Sequence, residues 1–321
     1  MILARKQNIE TLSDYIPEIF SRINKLPIAV RSRVQEIRLR EGRFVTLELS
    51  APSDRICLDI KTSAADLEEI LRVLCRYSVH TYTKQIAEAY ITIDGGHRVG
   101  FCGTAVTGGD GSIQNIREIT SMNFRIAGEY PGCSDLLFDH IIQRIDDLKG
   151  LLIIGRPLSA KTTVLRDLIR NIGNFYKVAV VDERGELAAK CGGKLHFDLG
   201  ANTDVLDNFS KSEGFIRALR ALSPEFIATD EIGFDYAKMR YCVNSGVRLL
   251  LTAHCSGVED LNCSGLHSVI ETKGISHLAL LGTGAEIGKI KGFWEVKVNN
   301  GNVEYNLCRF NSIDRSRLGA V

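Results

Sequence analysis

Hydrophobic and polar positions give the first part of the chain a mixed pattern. Apolar residues recur at helical spacing from Ile9 to Phe20, and again from Leu67 to Leu74 behind Ser63, a predicted helix N-cap. From Tyr90 to Val106 the pattern alternates as in a β-strand and is interrupted at Asp94-Gly95-Gly96, which predicts a hairpin. Two amphipathic helices and short strands are therefore expected here.

A break near residue 130 ends this pattern. One more strand is predicted from Ile119 to Ala127, and Tyr130-Pro131-Gly132 then interrupts the chain. We expect a smaller amino-terminal α+β domain over residues 1–130 and a second domain over residues 131–321, which begins with a helix from Ser134 to Ile145.

The second domain alternates short apolar runs with amphipathic segments. The runs are Leu151 to Ile154, Val178 to Val181, Phe226 to Thr229 and Val247 to Thr252. Amphipathic segments such as Thr162 to Ile172 and Glu213 to Leu222 lie between them. Continuous apolar strands separated by helices predict an α/β domain with a parallel sheet covered on both faces. The tail, Phe293 to Phe310, has the pattern of a closing hairpin.

Composition narrows the class of protein. The chain has 321 residues, a formal net charge of +1, 45% hydrophobic and 25% charged residues, which is typical of a globular protein and argues against a sequence-independent nucleic-acid binder. Nine cysteines without zinc-site spacing predict reduced thiols in a cytosolic protein. Neither a signal peptide nor a membrane-spanning run is apparent, so any membrane contact is expected to be peripheral.

The first apolar run of the second domain leads into a phosphate-binding pattern. The loop reads Gly155-Arg156-Pro157-Leu158-Ser159-Ala160-Lys161-Thr162-Thr163. It matches G-x-x-x-x-G-K-[ST] except at Ala160. In such a loop the backbone N–H groups hold the phosphates of ATP, Lys161 reaches the terminal phosphates and Thr162 binds magnesium. An ordinary turn with an exposed lysine is the alternative interpretation.

A second strand ends in the acidic pair that a P-loop ATPase needs. Phe226 to Thr229 is followed by Asp230 and Glu231. Asp230 is predicted to hold the magnesium shell and Glu231 to polarise the attacking water. The alternative is an acidic pair that stabilises the start of a following helix.

Two more strand ends are expected at the same edge, where ligands of parallel sheets bind. Val178 to Val181 is followed by Asp182, Glu183 and Arg184, and the run near Thr252 is followed by His254. Asp182 and Glu183 have a simpler reading as helix caps, and His254 has one as a structural residue.

Motifs along nearly the whole chain resemble the stage III sporulation protein AA family. They are Glu36 to Arg40, Gly95 to Gly100, Ala160 to Thr163 with Arg166-Asp167, Val181 to Arg184, Thr203 to Asp207 and Ser223 to Gly233. That family is similar to the ATPases of type II and type IV secretion systems. The resemblance implies a RecA-like P-loop ATPase domain that works as a hexameric ring in the mother-cell cytoplasm. Its implied partners are membrane-embedded channel subunits facing the forespore, without nucleic acid.

The resemblance also assigns roles to further residues. By position it gives Lys161, Thr162, Asp230 and Glu231 the roles stated above. It places Asp182, Glu183 and Arg184 in an acidic box and His254 in a histidine box. It makes Arg125 an arginine that the amino-terminal domain sends to nucleotide phosphates. Glu183, His254 and Arg125 are therefore implied catalytic residues.

The loop departs from the family pattern at three positions. Arg156 replaces a proline, and Leu158 and Ala160 replace glycines. A residue with a Cβ held at positive φ costs roughly 1 to 2 kcal/mol, whereas micromolar nucleotide binding is worth about 8 kcal/mol. The expected effect is a roughly tenfold weakening of ATP binding.

The sequence leaves three candidate functions. The first is an ATPase that powers or assembles a secretion-like channel complex. The second is a degenerate P-loop protein with weak or no hydrolysis that serves as a structural platform, which the altered loop motivates and the retained Asp230-Glu231 pair opposes. The third is a nucleic-acid-remodelling ATPase, which the balanced charge opposes.

Overall fold

The computed structural model describes residues 7–50, 54–78, 82–109, 111–232, 236–261, 266–299 and 302–308. These residues form two compact units, an amino-terminal unit of residues up to 129 together with 189–197, and a carboxy-terminal unit of residues 130–188 and from 198 onwards. The segment 189–197 lies within the predicted second domain in sequence but packs in the amino-terminal unit. Local patterns do not reveal such a long-range association.

The amino-terminal unit is built on an antiparallel sheet. Its helices are α1 (Pro17–Asn24), α2 (Ile28–Arg31), α3 (Ala64–Leu74) and α4 (Thr83–Ala87), preceded by a 3-10 helix (Ile9–Asp14). Its strands are β1 (Val34–Arg40), β2 (Phe44–Leu49), β3 (Arg55–Lys61), β4 (Tyr90–Thr92), β5 (Arg98–Thr107) and β6 (Ile113–Arg125). The order across the sheet is β3-β2-β1-β6-β5-β4.

Local chemistry explains where these elements begin. The single helix predicted from Ile9 to Phe20 is divided, because Pro17 lacks a donor and starts α1 instead of continuing the preceding turn. Ser63 caps α3 as predicted, in a capping box in which its hydroxyl accepts from the N–H of Asp66. The hairpin around Asp94–Gly96 is confirmed by antiparallel pairing of β4 with β5.

The carboxy-terminal unit is built on an eight-stranded sheet among the described residues. Its helices are α5 (Asp135–Ile142), α6 (Lys161–Ile172), α7 (Lys211–Leu222), α8 (Tyr236–Asn244), α9 (Val258–Leu261) and α10 (Leu266–Glu271). Its strands are β7 (Gly150–Gly155), β8 (Val178–Asp182), β9 (Thr203–Asp207), β10 (Phe226–Thr229), β11 (Arg248–His254), β12 (His277–Leu281), β13 (Ile290–Asn299) and β14 (Asn302–Leu307).

The sheet order is β14-β13-β12-β7-β11-β10-β8-β9, with parallel pairing from β12 to β9. The four predicted parallel strands and the β13–β14 hairpin are confirmed. Strands β9 and β12 were not identified from the pattern. β9 is only half-buried and carries polar residues, and β12 opens on His277.

The central strands of this sheet are buried, and its register aligns the carboxyl ends of four strands. Strands β7, β8 and β10 are buried throughout, and α6 buries one face against the sheet. The register pairs His254 with Gly155 and Thr229 with both Val181 and Leu251, so the carboxyl ends of four strands lie side by side. Among the described helices, none has the length and apolar content that crossing a membrane requires.

Candidate functional site

The predicted phosphate-binding loop joins β7 to α6. Arg156, Pro157 and Leu158 are exposed, whereas Ser159 is buried and its hydroxyl has no hydrogen-bond partner within the described part of the chain. Ala160 directly precedes α6 with φ +67°, the left-handed conformation expected for it. Gly155 allows the tight return, because a Cβ there would lie 2.4 Å from Ser159 Oγ.

Lys161 is the first residue of α6 and lies under the loop. Its Nζ donates to the carbonyl oxygens of Gly155 at 3.0 Å and Arg156 at 3.1 Å, and to Nδ1 of His254 at 3.0 Å. Burial lowers the pKa of Lys161, and the nearby charges of Glu231 and Asp230 oppose that shift. The ammonium is therefore held at the start of α6 between the loop carbonyls and the His254 ring.

Side-chain oxygen atoms of three residues lie close together beside the second residue of α6. The Thr162 hydroxyl donates to Asp230 Oδ2 at 2.9 Å, and the Thr252 hydroxyl donates to Asp230 Oδ1. Hydroxyl and carboxylate oxygens are the donors that magnesium prefers, usually with several waters retained. Thr162 and Asp230 thus fit the predicted magnesium site. Thr163 follows on the same helix turn, half-buried.

Glu231 is held from several sides. Its Oε1 accepts from His254 Nε2, and its Oε2 lies 3.4 Å from Arg184 Nη1. Because Lys161 donates to Nδ1 of His254, the His254 proton is on Nε2 and the ring connects the two residues. Glu231 also has φ +29°, in the left-handed region. The carboxylate is half-exposed and accessible to water.

The acidic segment after β8 separates into different environments. Asp182 is buried and accepts from the N–H groups of Glu186 at 2.8 Å, Leu187 at 3.1 Å and Ala188 at 2.8 Å. It therefore stabilises the following loop, and not a helix. Glu183 is exposed and lines a pocket with Asp230 and Glu231.

Two residues of this site were absent from the predicted set. Thr252 accepts from the Glu231 N–H at 2.6 Å in addition to contacting Asp230. Lys211 donates to the main-chain oxygen of Glu231. Neither belongs to a recognisable motif, but Thr252 stands out as a hydroxyl in an apolar strand run.

Arg125 lies in the amino-terminal unit, exposed at the end of β6 and paired in register with Glu36 and Arg98. All other predicted site residues come together within the carboxy-terminal unit. The role of Arg125 stays a prediction.

A separate polar cluster in the amino-terminal unit contains Asp94, Cys191 and His196, whose ligand-type atoms lie within 4.8 Å of one another. The Gly95 N–H donates to His196 Nδ1 at 3.1 Å, so Nε2 carries the proton and faces Asp94 Oδ1 at 3.4 Å. Arg76 lies 3.3 Å from the same carboxylate. The Gly95–His196 hydrogen bond and the contact of Cys191 Sγ with the Thr92 carbonyl oxygen at 3.6 Å connect the segment 189–197 to the hairpin of β4 and β5.

Solved structures define the class of this fold. The chain superposes on the ATPase DotB of Legionella pneumophila with a TM-score of 0.54 and 14% identity, over 91% of this chain and 78% of that one. The pilus retraction motor PilT, solved with bound ADP, gives a TM-score of 0.55 and 13% identity, over 92% and 83%. The predicted RecA-like α/β fold of the secretion ATPases is confirmed.

The sequence places the chain within a particular family of this fold. It belongs to the family described as Sporulation stage III, protein AA, whose model matches residues 4–300. It is 33% identical over 259 residues to Stage III sporulation protein AA of Bacillus subtilis (strain 168), covering 78% of this chain and 83% of that protein. The resemblance inferred from the motifs is confirmed.

Proposed function

We propose that this protein is a magnesium-dependent ATPase that powers or assembles a secretion-like channel complex during sporulation. One observation carries the proposal: the Thr162 hydroxyl meets the Asp230 carboxylate at 2.9 Å, next to Lys161 and Glu231. A P-loop ATPase needs these groups together to hold phosphates, metal and the attacking water.

The residues divide the work as follows. Thr162 and Asp230 would hold magnesium, which when bound neutralises charge on the phosphates. Backbone N–H groups of the loop, apart from Pro157, which has none, and of the start of α6 would hold the phosphates, and Lys161 would turn from its carbonyl partners to them. Glu231 accepts a proton from the attacking water, and the N–H of His254 orients its carboxylate.

The assembly we propose is a hexameric ring in the mother-cell cytoplasm, docked peripherally on membrane-embedded channel subunits that face the forespore. Family membership supports this context, and the fold of a pilus retraction motor supports a mechanical role. In the ring, Arg125 of one subunit completes the site of its neighbour. Nucleic acid is not a proposed partner, because the net charge is only +1.

A structural platform without hydrolysis is the second candidate. The observation that favours it is a loop holding two non-glycine residues in the left-handed region, Leu158 at φ +63° and Ala160 at φ +67°. Each costs roughly 1 to 2 kcal/mol. The intact contacts of Thr162, Asp230 and Glu231 favour the ATPase, because a platform has no chemical need for them.

Magnesium-dependent ATP turnover by the purified full chain tests the proposal. Wild type should hydrolyse ATP, chelation of magnesium should stop it, and Lys161→Ala should abolish it. Lys177→Ala, at an exposed lysine that follows α6, is the matched control and should retain full turnover. Nucleotide binding without turnover in the wild type would favour the platform, and turnover that requires added DNA or RNA would favour a nucleic-acid-remodelling ATPase.

A further inference from the structure

Lys211 occupies an unfavourable position for a lysine. It is the first residue of α7, whose N-cap is Ser210, and a positive charge at a helix N-terminus opposes the helix dipole. Its side chain is half-buried, and burial lowers the pKa of Lys211 despite the nearby carboxylates of Asp230 and Glu183. The charge of Lys211 therefore contributes little to the stability of the fold. The role of this residue lies in a local contact.

That contact is with the main chain of the proposed catalytic base. The Lys211 ammonium donates to the carbonyl oxygen of Glu231. Glu231 has φ +29°, a strained conformation for a residue with a side chain. A strained backbone conformation persists only where surrounding contacts hold it. Lys211 supplies such a contact, because it binds the peptide group that contains the Glu231 carbonyl.

The side chain of Glu231 depends on this backbone. Its two carboxylate oxygens face His254 and Arg184, which lie on β11 and on the segment after β8. Rotation of the Glu231 peptide would turn the carboxylate away from both. Lys211 and Arg184 are also the two basic residues that line the pocket shared with Glu183, Asp230 and Glu231.

We propose that Lys211 is a positioning residue that fixes the Glu231 main chain so that the carboxylate is aimed at the attacking water. This inference rests on the proposed ATPase function. Since Lys211 acts through Glu231 and not on the nucleotide, its loss should lower kcat and leave nucleotide affinity almost unchanged.

Three variants of the full chain test the inference. Lys211→Met removes the donor with little change in volume, Lys211→Arg restores a donor, and Lys238→Met is the matched control. Lys238 lies near the same helix terminus but bonds to Ser212 and lies 3.6 Å from Glu213. Measurements are kcat and KM for ATP with magnesium, affinity for a fluorescent ATP analogue, and the thermal unfolding midpoint.

We expect Lys211→Met to lower kcat about tenfold or more while KM and analogue affinity stay within about twofold. Its unfolding midpoint should stay close to that of the wild type, because relief of the desolvated charge offsets loss of the hydrogen bond to Glu231. Lys211→Arg should recover part of the kcat, and Lys238→Met should match the wild type.

Three results would overturn the inference in an enzyme that hydrolyses ATP. They are an unchanged kcat in Lys211→Met, a fall in kcat accompanied by a matching fall in the unfolding midpoint, and a loss confined to KM. A wild type that binds ATP but does not hydrolyse it would overturn the ATPase proposal itself and this inference with it, so the two failures are distinguishable.

Discussion

Ala160 introduces backbone strain into the predicted phosphate-binding loop, because a residue with a Cβ is held there at positive φ. The residue lies between the exposed loop and α6, with φ +67° and ψ 28°. A glycine adopts this conformation without a steric cost, whereas alanine does not. Ala160 therefore places a strained residue directly before α6.

Ala160→Gly should give a small gain in ATP affinity and turnover. Removing the Cβ recovers on the order of 1 kcal/mol of strain. Greater freedom of the empty loop opposes the gain by roughly 0.4 to 1 kcal/mol, so the net increase should be less than tenfold. Isothermal titration of both proteins with ATP and magnesium measures it. Weaker binding by the variant would mean that the loop has adapted to alanine.

Glu231→Gln should retain ATP binding and lose hydrolysis. The amide keeps the size of the side chain and an acceptor for His254, while Lys161 and Thr162 still hold phosphates and metal. Loss of a general base typically lowers turnover by about 10² to 10⁴. Single-turnover hydrolysis and equilibrium binding of ATP separate the two effects.

The control for this substitution is Glu259→Gln, at an exposed carboxylate of α9. It should hydrolyse ATP as the wild type does. A wild-type rate in Glu231→Gln would assign the base to another carboxylate, and Glu183 in the adjoining pocket would be the next residue to replace.

At the scale of elements, the sequence pattern predicted the strands that are buried on both faces. β7, β8, β10 and β11 are continuous apolar runs because both faces of a parallel sheet are covered. β9 was not predicted, because this edge strand is half-exposed and is not a continuous apolar run. The same reasoning explains why strand-end residues could be placed together before the structure was known.

Contacts of residues outside the recognised motifs could not be predicted. Lys211 meets the Glu231 carbonyl because α7 starts beside the end of β10, which no local pattern encodes. The hydroxyl of Thr252 interrupts an apolar run, but the run alone does not indicate that it binds Asp230. Spacing identifies a motif, whereas pairing of separate elements requires the register of the sheet.

Packing of α5 on the sheet predicts a pH dependence of stability. His140 on α5 is buried with its ring 4.4 Å from that of Phe293, which stacks on His277 of β12 at 5.4 Å. Burial, together with the charges of Arg144 and His277, lowers the pKa of His140 to about 4. Below its ordinary value near 6.5 the unfolded chain binds a proton that the folded chain refuses, so folding weakens as pH falls.

The contribution of His140 should be fully present above about pH 6.5 and decline toward pH 4. Between pH 7 and pH 5 it should remove about 2 kcal/mol of unfolding free energy. Urea unfolding at both pH values measures this, and His140→Gln should reduce the difference to the part that comes from His277, whose pKa burial also lowers. His267→Gln, at a half-exposed histidine of α10, should not. Equal slopes in wild type and His140→Gln would show that the buried imidazole does not titrate as described.

At the scale of the molecule, the chain crosses between the two units around the segment 189–197. The Asp182 carboxylate binds the N–H groups of residues 186–188, directly before the crossing. Within the amino-terminal unit, Asp94 with His196 and Arg76 anchors the segment that follows. A strand end of the proposed ATPase site is thus covalently continuous with the other unit.

An arginine from the amino-terminal unit is the remaining part of the proposed ring. Arg125 is exposed at the end of β6, and an arginine aimed at charge that develops during phosphoryl transfer acts mainly in the transition state. Arg125→Ala should therefore lower kcat by more than it raises KM. Arg117→Ala, exposed earlier on the same strand, is the matched control and should leave both nearly unchanged.

Mixing variants tests whether Arg125 acts on a neighbouring subunit. Arg125→Ala keeps Glu231, and Glu231→Gln keeps Arg125, so a mixed ring contains interfaces at which an intact base meets an intact arginine. ATP turnover should then rise above that of either variant alone, in proportion to the fraction of such interfaces. If the mixture shows only the average of the two residual activities, Arg125 does not act between subunits. Equal losses in affinity and turnover for Arg125→Ala would instead assign the side chain to ground-state binding of the nucleotide.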